Sequence, residues 1–186
     1  MPQPQRLDKP LDAFVREIAL CVATNGDKGP ALFWPENLRT LPALQRLARS
    51  GRPPGDGSRA PGPRVSPAAG PPRQPGAVGP EAELLAAALG EQLGLLVRPS
   101  YRFLSCGAVG ARQASCAAEY MVTVLDGACR CRVTRDADAA GESPKDAVDL
   151  RLRAGGTLFV PRGHAYDLLD VHTPTVLMEL VLNEPG

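Results

Sequence analysis

Apolar residues recur along this chain with two different periods. Between residues 10 and 23, Leu11, Phe14, Val15, Ile18 and Val22 trace one helical face, with Asp12, Arg16 and Glu17 off it. Asn25-Gly26 supplies the stop. A short apolar run, Ala31-Leu32-Phe33-Trp34, is cut off by Pro35. Leu38, Leu41, Leu44 and Leu47 then repeat at three-residue spacing and predict a second short helix over 40–49. Residues 81–93 (EAELLAAALGEQL) predict a third, whose Glu81 and Glu83 suit the positive end of the helix dipole.

Beyond residue 94 the period shortens. Strand-like runs occupy 95–104, 119–125, 128–134, 148–153, 157–161 and 175–182, and Gly, Asp-Gly, Gly-Gly and Thr-Pro turns separate them. Val148, Leu150 and Leu152 alternate with Asp149, Arg151 and Arg153, the pattern of a strand with one wet face. Many short strands with regular turns predict an all-β barrel or sandwich.

Residues 51–80 follow neither period. Nine prolines and seven glycines occur there, and Val65 and Val78 are its sizeable apolar side chains. Such a segment cannot bury enough surface to offset the ~1–2 kcal/mol per residue that ordering a backbone costs, so it reads as a disordered linker.

Composition narrows the function classes. The net charge is +1, which excludes composition-driven binding to nucleic acid or an anionic membrane, and aromatics at 4% leave no base-stacking platform. No apolar stretch is long enough to span a bilayer, and MPQPQRLDKPLDAF shows no export signal. Five cysteines without such a signal read as reduced thiols of a cytoplasmic protein. The sequence contains no Gly-rich phosphate loop, Ser-His-Asp arrangement or Gly-x-Ser-x-Gly elbow. Arginine outnumbers lysine 18 to 3, a coding bias without functional content.

Two motifs change the picture. Val124-Leu125-Asp126-Gly127 is a strand and tight turn, and Gly155-Gly156-Thr157-Leu158-Phe159-Val160-Pro161-Arg162-Gly163 follows it. Together they resemble the two halves of a cupin barrel. More narrowly, 93–166 resembles the JmjC-type cupins, the group that includes the ribosomal oxygenases, through SYRFLSCGAVG (100–110), the run 119–133 and LFVPRG (158–163). The resemblance implies a mainly β fold: a cupin-type double-stranded β-helix, or jelly-roll, with N-terminal helices and a disordered Pro/Gly-rich insertion.

That family holds Fe(II) with a His-x-Asp pair before the hairpin and a histidine after Pro-Arg-Gly, leaving positions open for oxygen and 2-oxoglutarate. Carried onto this chain, the pair falls on Ala114 and Cys116, and the histidine on Tyr166. The lysine that grips 2-oxoglutarate falls near Cys129. All four are replaced. Methyl and phenol groups do not hold Fe(II) as imidazole and carboxylate do, and a neutral thiol does not replace an ammonium. The resemblance thus implies a barrel without the iron chemistry, a catalytically degenerate member with neither catalytic residues nor cofactor.

Other residues offer substitutes, each with a plainer reading. HAYDLLDVH (164–172) is the densest run of metal-ligand types, and His164, Asp167 and His172 form the fallback metal set. In a strand, however, His164, Tyr166 and Leu168 share one face and Asp167 the other, so the run reads as a polar rim or surface loop. Cys129 and Cys131 share a strand face and, with Cys106 and Cys116, could bind zinc; buried packing is the plainer reading. Arg102, Arg130, Arg132 and Arg162 suit anions, and Arg102 lies where the resembling family lines its oxoglutarate pocket. The plainer reading for these is solvation. Arg102, Tyr166 and His164 are the candidate ligand-binding residues.

The expected organisation is a helical region over 1–50 packed on the barrel, a linker over 51–80 and the barrel over 81–186. Two functions from different classes follow. One is a binding or accessory protein for an unidentified small molecule or peptide. The other is an Fe(II)/2-oxoglutarate oxygenase with displaced ligands, drawing on His164, His172, Asp167 or Glu179. A homodimer is expected from the resemblance alone.

Overall fold

A computed structural model of the chain describes residues 6–50, 78–107, 113–114, 118–135 and 147–185. Its elements are α1 (Lys9–Asn25), β1 (Ala31–Phe33), α2 (Thr40–Ser50), α3 (Pro80–Leu93), β2 (Leu96–Leu104), β3 (Gln113–Ala114), β4 (Glu119–Asp126), β5 (Ala128–Arg135), β6 (Val148–Arg153), β7 (Thr157–Val160), β8 (His164–Leu169) and β9 (Thr175–Asn183). Most of the predicted linker, 51–77, lies outside the described residues.

The strands form two antiparallel sheets, one ordered β1-β7-β4-β9-β2 and the other β3-β8-β5-β6. The fold is mainly β, two packed antiparallel sheets carrying a helical layer. Strand alternation divides the five-stranded sheet between two cores. Tyr101, Met121, Leu125, Phe159, Met178, Leu180 and Leu182 face the helices and pack with Phe14, Ile18, Leu44, Leu85 and Leu89. Tyr120, Val122, Val124, Leu158, Val160 and Leu177 face the other sheet and meet Cys129, Cys131, Leu152, Tyr166 and Leu168.

Local sequence explains the element ends. Asp8 caps α1 by accepting from the Leu11 N–H, and Pro10 sits in the first turn, where its missing N–H costs nothing. Gly94, left-handed at φ +69°, closes α3. Gly127 turns the β4–β5 hairpin at φ +79°, and a Cβ there would lie 2.4 Å from the Pro174 carbonyl oxygen. Only glycine fits that turn. The Gln45 amide, on α2, donates to the Leu125 carbonyl oxygen at 2.8 Å and ties the helical layer to β4.

Three features depart from the expectations. The run 31–34, too short to assign by period, becomes an edge strand beside β7, with Leu32 opposite Leu158. The helix 80–93, grouped with the barrel by sequence position, packs on α1 and β2 in the helical layer. Residues 164–169, read as a rim or surface loop, form a strand flanked by β3 and β5. Its polar letters misled: Tyr166 and Leu168 turn inward on one parity, while His164 at its start and Asp167 on the other parity remain part-exposed. No helix of the described residues is long and apolar enough to cross a membrane.

Candidate functional site

The polar centre of the barrel is made by three strands. β9 places Glu179 among inward-facing Leu177 and Val181 in an otherwise apolar run, and only 4% of the residue is exposed. β2 lies beside β9 with Arg102 opposite Leu177, which puts Arg102 diagonal to Glu179 on the same face. β8, in the other sheet, contributes Tyr166 from across the interior. The Arg102 Nη1 donates to Glu179 Oε1 at 2.9 Å, and the Tyr166 hydroxyl donates to the same oxygen at 2.8 Å. The Tyr120 ring meets Tyr166 edge-on, with centroids 5.7 Å apart. One carboxylate therefore links both sheets.

Electrostatics fix the protonation states. Burial, and then the neighbouring Glu179 carboxylate, push the Tyr166 phenol well above its ordinary range. Burial pulls the Arg102 guanidinium down, but Glu179 and then Tyr166 outweigh it and leave it above its usual value. Tyr166 is thus a neutral donor, Arg102 a cation and Glu179 the acceptor between them. Arg102, expected at a solvated surface, keeps 17% of its side chain exposed because its charge is met inside.

The two interior cysteines are also neutral. Burial pushes the Cys129 thiol up to about 11 and the Cys131 thiol up to about 12. Thiols so held pack as small apolar groups and are poor metal ligands. Cys106 lies elsewhere, its thiol donating to the His172 carbonyl oxygen at 3.1 Å.

The fallback metal set is not gathered. His164 begins β8 and its ring lies 3.4 Å from the Arg162 carbonyl oxygen. Asp167 falls on the outer parity of that strand, opposite Arg132, and His172 is exposed beyond the strand's end. Among the described residues, no three His, Cys, Asp or Glu side chains are grouped so as to hold a metal. Ala114 lies on β3 opposite Ala165 in the backbone ladder, and Gln113 lies opposite Tyr166. Cys116 lies outside the described residues. A phenol kept protonated and already donating does not fit a metal-ligand role.

The outer face of the four-stranded sheet carries exposed charge. Arg132 holds Asp149 through two hydrogen bonds of 2.8 and 3.0 Å, and Arg130 reaches Asp170 at 2.9 Å. Arg162 pairs with Glu184 at 2.8 Å. A groove of about 500 Å³ lies between α1 and α3, lined by Leu7, Lys9, Leu84, Ala88 and Glu91.

The sequence alone offered Tyr166 and Arg102 as ligand-binding residues and Glu179 as a displaced metal ligand, without foreseeing that Glu179 pairs with the other two. Glu179 had a signal: a lone carboxylate inside TVLMELVL must find a cation or leave the strand. Tyr120 had none beyond its parity.

No family model matches this sequence, and no curated protein matches it. The solved structures it resembles are cupin-fold proteins. They include a vicilin from Corylus avellana (TM-score 0.41, 16% identity, 50% of this chain and 26% of that one). An oxalate decarboxylase from Lactobacillus farciminis aligns at TM-score 0.40 and 13% identity, over 48% of this chain and 25% of that one. The Cnp3 cupin domain of Schizosaccharomyces pombe aligns at TM-score 0.37 and 16% identity, over 47% and 52%. The chain thus spans about a quarter of the first two proteins and half of the third.

Proposed function

We propose that this chain is a degenerate JmjC-like cupin that works without iron, as a binding or accessory protein for a small molecule or a peptide. The observation that carries this reading is the Tyr166–Glu179–Arg102 cluster. The position that the resemblance assigns to a histidine holds a neutral phenol, and that phenol is committed to an internal carboxylate. The backbone ladder supports the assignment, since β3 brings position 114 beside 165–166, so two of the family's ligand positions stand on neighbouring strands. Cys129, at the position assigned to the oxoglutarate lysine, is buried and uncharged.

Metal content tests the reading. Untagged protein purified without chelators is offered Fe(II), Zn(II), Ni(II) and Mn(II), and bound metal is measured by elemental analysis. Substoichiometric amounts of each are expected. One equivalent of iron, with turnover of 2-oxoglutarate, overturns it.

The second reading, an oxygenase with displaced ligands, has one observation in its favour. Glu179 is a buried, inward-facing carboxylate. It becomes a ligand only if Arg102 and Tyr166 release it, which leaves a buried guanidinium without its counter-charge. That reading predicts that His164→Ala abolishes both metal content and activity, and retention of both excludes it.

A further inference from the structure

Asn25 and Gly26 end α1, and the sequence alone reads the pair as a stop. The structure gives the glycine no such task. A glycine that ends a helix commonly turns left-handed, as Gly94 does at φ +69°. Gly26 keeps φ −48° and ψ −43°, ordinary helical values that any residue adopts. Its missing side chain has a chemical consequence instead. A glycine nitrogen after an asparagine is the least shielded of such nitrogens, because no Cβ stands beside it. Asn37 precedes Leu38 and Asn183 precedes Glu184, so this is the single Asn-Gly step of the chain.

The last turn of α1 holds both groups that would react. The Gly26 N–H donates to the Val22 carbonyl oxygen at 2.9 Å, and the Asn25 Nδ2 donates to the Cys21 carbonyl oxygen at 2.9 Å. The Asn25 carbonyl oxygen accepts in turn from the N–H groups of Lys28 at 3.0 Å and Gly29 at 3.2 Å. Nitrogen and carboxamide are thus each committed to the preceding turn and not to one another. This end of the helix is thinly held: Ala23, Thr24, Asp27 and Lys28 are exposed, and the buried residues of α1 stop at Ala19. Such a turn opens far more readily than the core.

We propose that Asn25 is a site of intramolecular deamidation, latched in the folded protein by the last turn of α1 and released when that turn opens. The Gly26 nitrogen gives its proton to solvent base and attacks the Asn25 Cγ. The N–Cγ bond forms, the Cγ–Nδ2 bond breaks, and Nδ2 takes up a proton and leaves as ammonia. Water then opens the cyclic imide at one carbonyl or the other, leaving aspartate or isoaspartate at that position. Either product is a one-way change of charge. A carboxylate replaces the donor that faced the Cys21 carbonyl oxygen, at the negative end of the helix dipole and two residues from Asp27. The isoaspartate also routes the backbone through the side chain's methylene, where Lys28 and Gly29 fold back on residue 25. The turn that delayed the reaction does not reform, and the Cys21 thiol, 3.8 Å from Asn25 Nδ2, loses that neighbour. The inference does not rest on the reading of the barrel interior.

Incubation of the full chain in mildly alkaline buffer, then tryptic digestion and mass spectrometry of peptide 17–28, tests it. In denaturant that peptide is expected to gain the mass of one deamidation, at Asn25, and to split into aspartate and isoaspartate forms. Folded wild type is expected to react about tenfold or more slowly, because several hydrogen bonds must open together first. Ala23 is exposed and belongs to neither reacting residue. A23G loosens the last turn through helix propensity, and is expected to speed the folded chain's reaction about fivefold while leaving the denatured rate unchanged. G26A, whose helical φ suits alanine, is expected to slow the reaction in both states. Circular dichroism checks that the variants fold. If A23G does not, wild type in urea below its unfolding transition makes the same measurement, with the rate expected to climb as the turn opens. A folded chain as fast as the denatured one, a folded A23G chain no faster than wild type, or a denatured chain that deamidates elsewhere and not at Asn25 overturns the proposal.

Discussion

The barrel interior and the outer face of the four-stranded sheet are built from the same chemistry and do opposite work. Both join arginines to carboxylates across neighbouring strands. Outside, Arg130 and Arg132 share Asp149 and Asp170, with about half of each side chain in solvent. Inside, one arginine and one glutamate meet with 17% and 6% of their side chains exposed, and a tyrosine fills the remaining donor role. Water screens the first set, so its members are interchangeable. In the second, each member is the only compensation the others have, so removing one exposes the full desolvation cost of what remains.

The sharpest way to break this contrast is to remove Glu179. Glu179→Ala leaves Arg102 charged in the barrel with no counter-charge, and the expected loss is about 3–5 kcal/mol, read by urea unfolding. Replacing the pair together, Arg102→Met with Glu179→Leu, is expected to recover most of that loss. A double variant as unstable as Glu179→Ala would show that the damage is lost packing and not an orphaned charge.

Alkaline pH sharpens the comparison through the cysteines. In the folded barrel Cys129 and Cys131 hold their protons to about 11 and about 12, whereas an unfolded thiol releases its proton near 9. A raised native value contributes stability that is complete below the unfolded value and lost as pH climbs to the native one. Stability is therefore expected to be level below pH 8 and to fall between about 9 and 12, by roughly 3–4 kcal/mol for each of these thiols. Cys131→Ala should flatten that fall, and an unchanged alkaline slope would assign it to other groups.

The smallest effect belongs outside. Arg130→Gln removes the contacts to Asp170 and Asp149, yet is expected to change stability by no more than about 1 kcal/mol, because an exposed pair gains little over hydrated ions. A loss as large as that of Glu179→Ala would mean the outer ladder is not an ordinary solvated face.

Much of this architecture is legible in the letters because it follows from short-range periodicity. The apolar stripe from Leu11 to Val22, the turn at Asp126-Gly127 and the alternation of Val148–Arg153 each predict their element, since helix and strand repeats depend only on neighbours. HAYDLL resisted the same treatment. Its histidine and aspartate count as surface letters, although alternate positions, Tyr166 and Leu168, are the ones that become buried. The strand exists because β5 and β3 lie ready on either side to complete its hydrogen bonds, a condition no window of the sequence contains.

The candidate site divides along the same line. The sequence by itself determined that Cys129 and Cys131 share a face. It also determined that Glu179 is a single acid in an apolar strand, because residue type and parity are local facts. Only the tertiary structure decided that Arg102 and Glu179, 77 residues apart, share a face, and that Tyr166 reaches the same oxygen from the opposite sheet. The reason is physical. A buried charge must be met by whatever the fold brings within hydrogen-bonding distance, and that partner is chosen by strand order and register, not by distance along the chain.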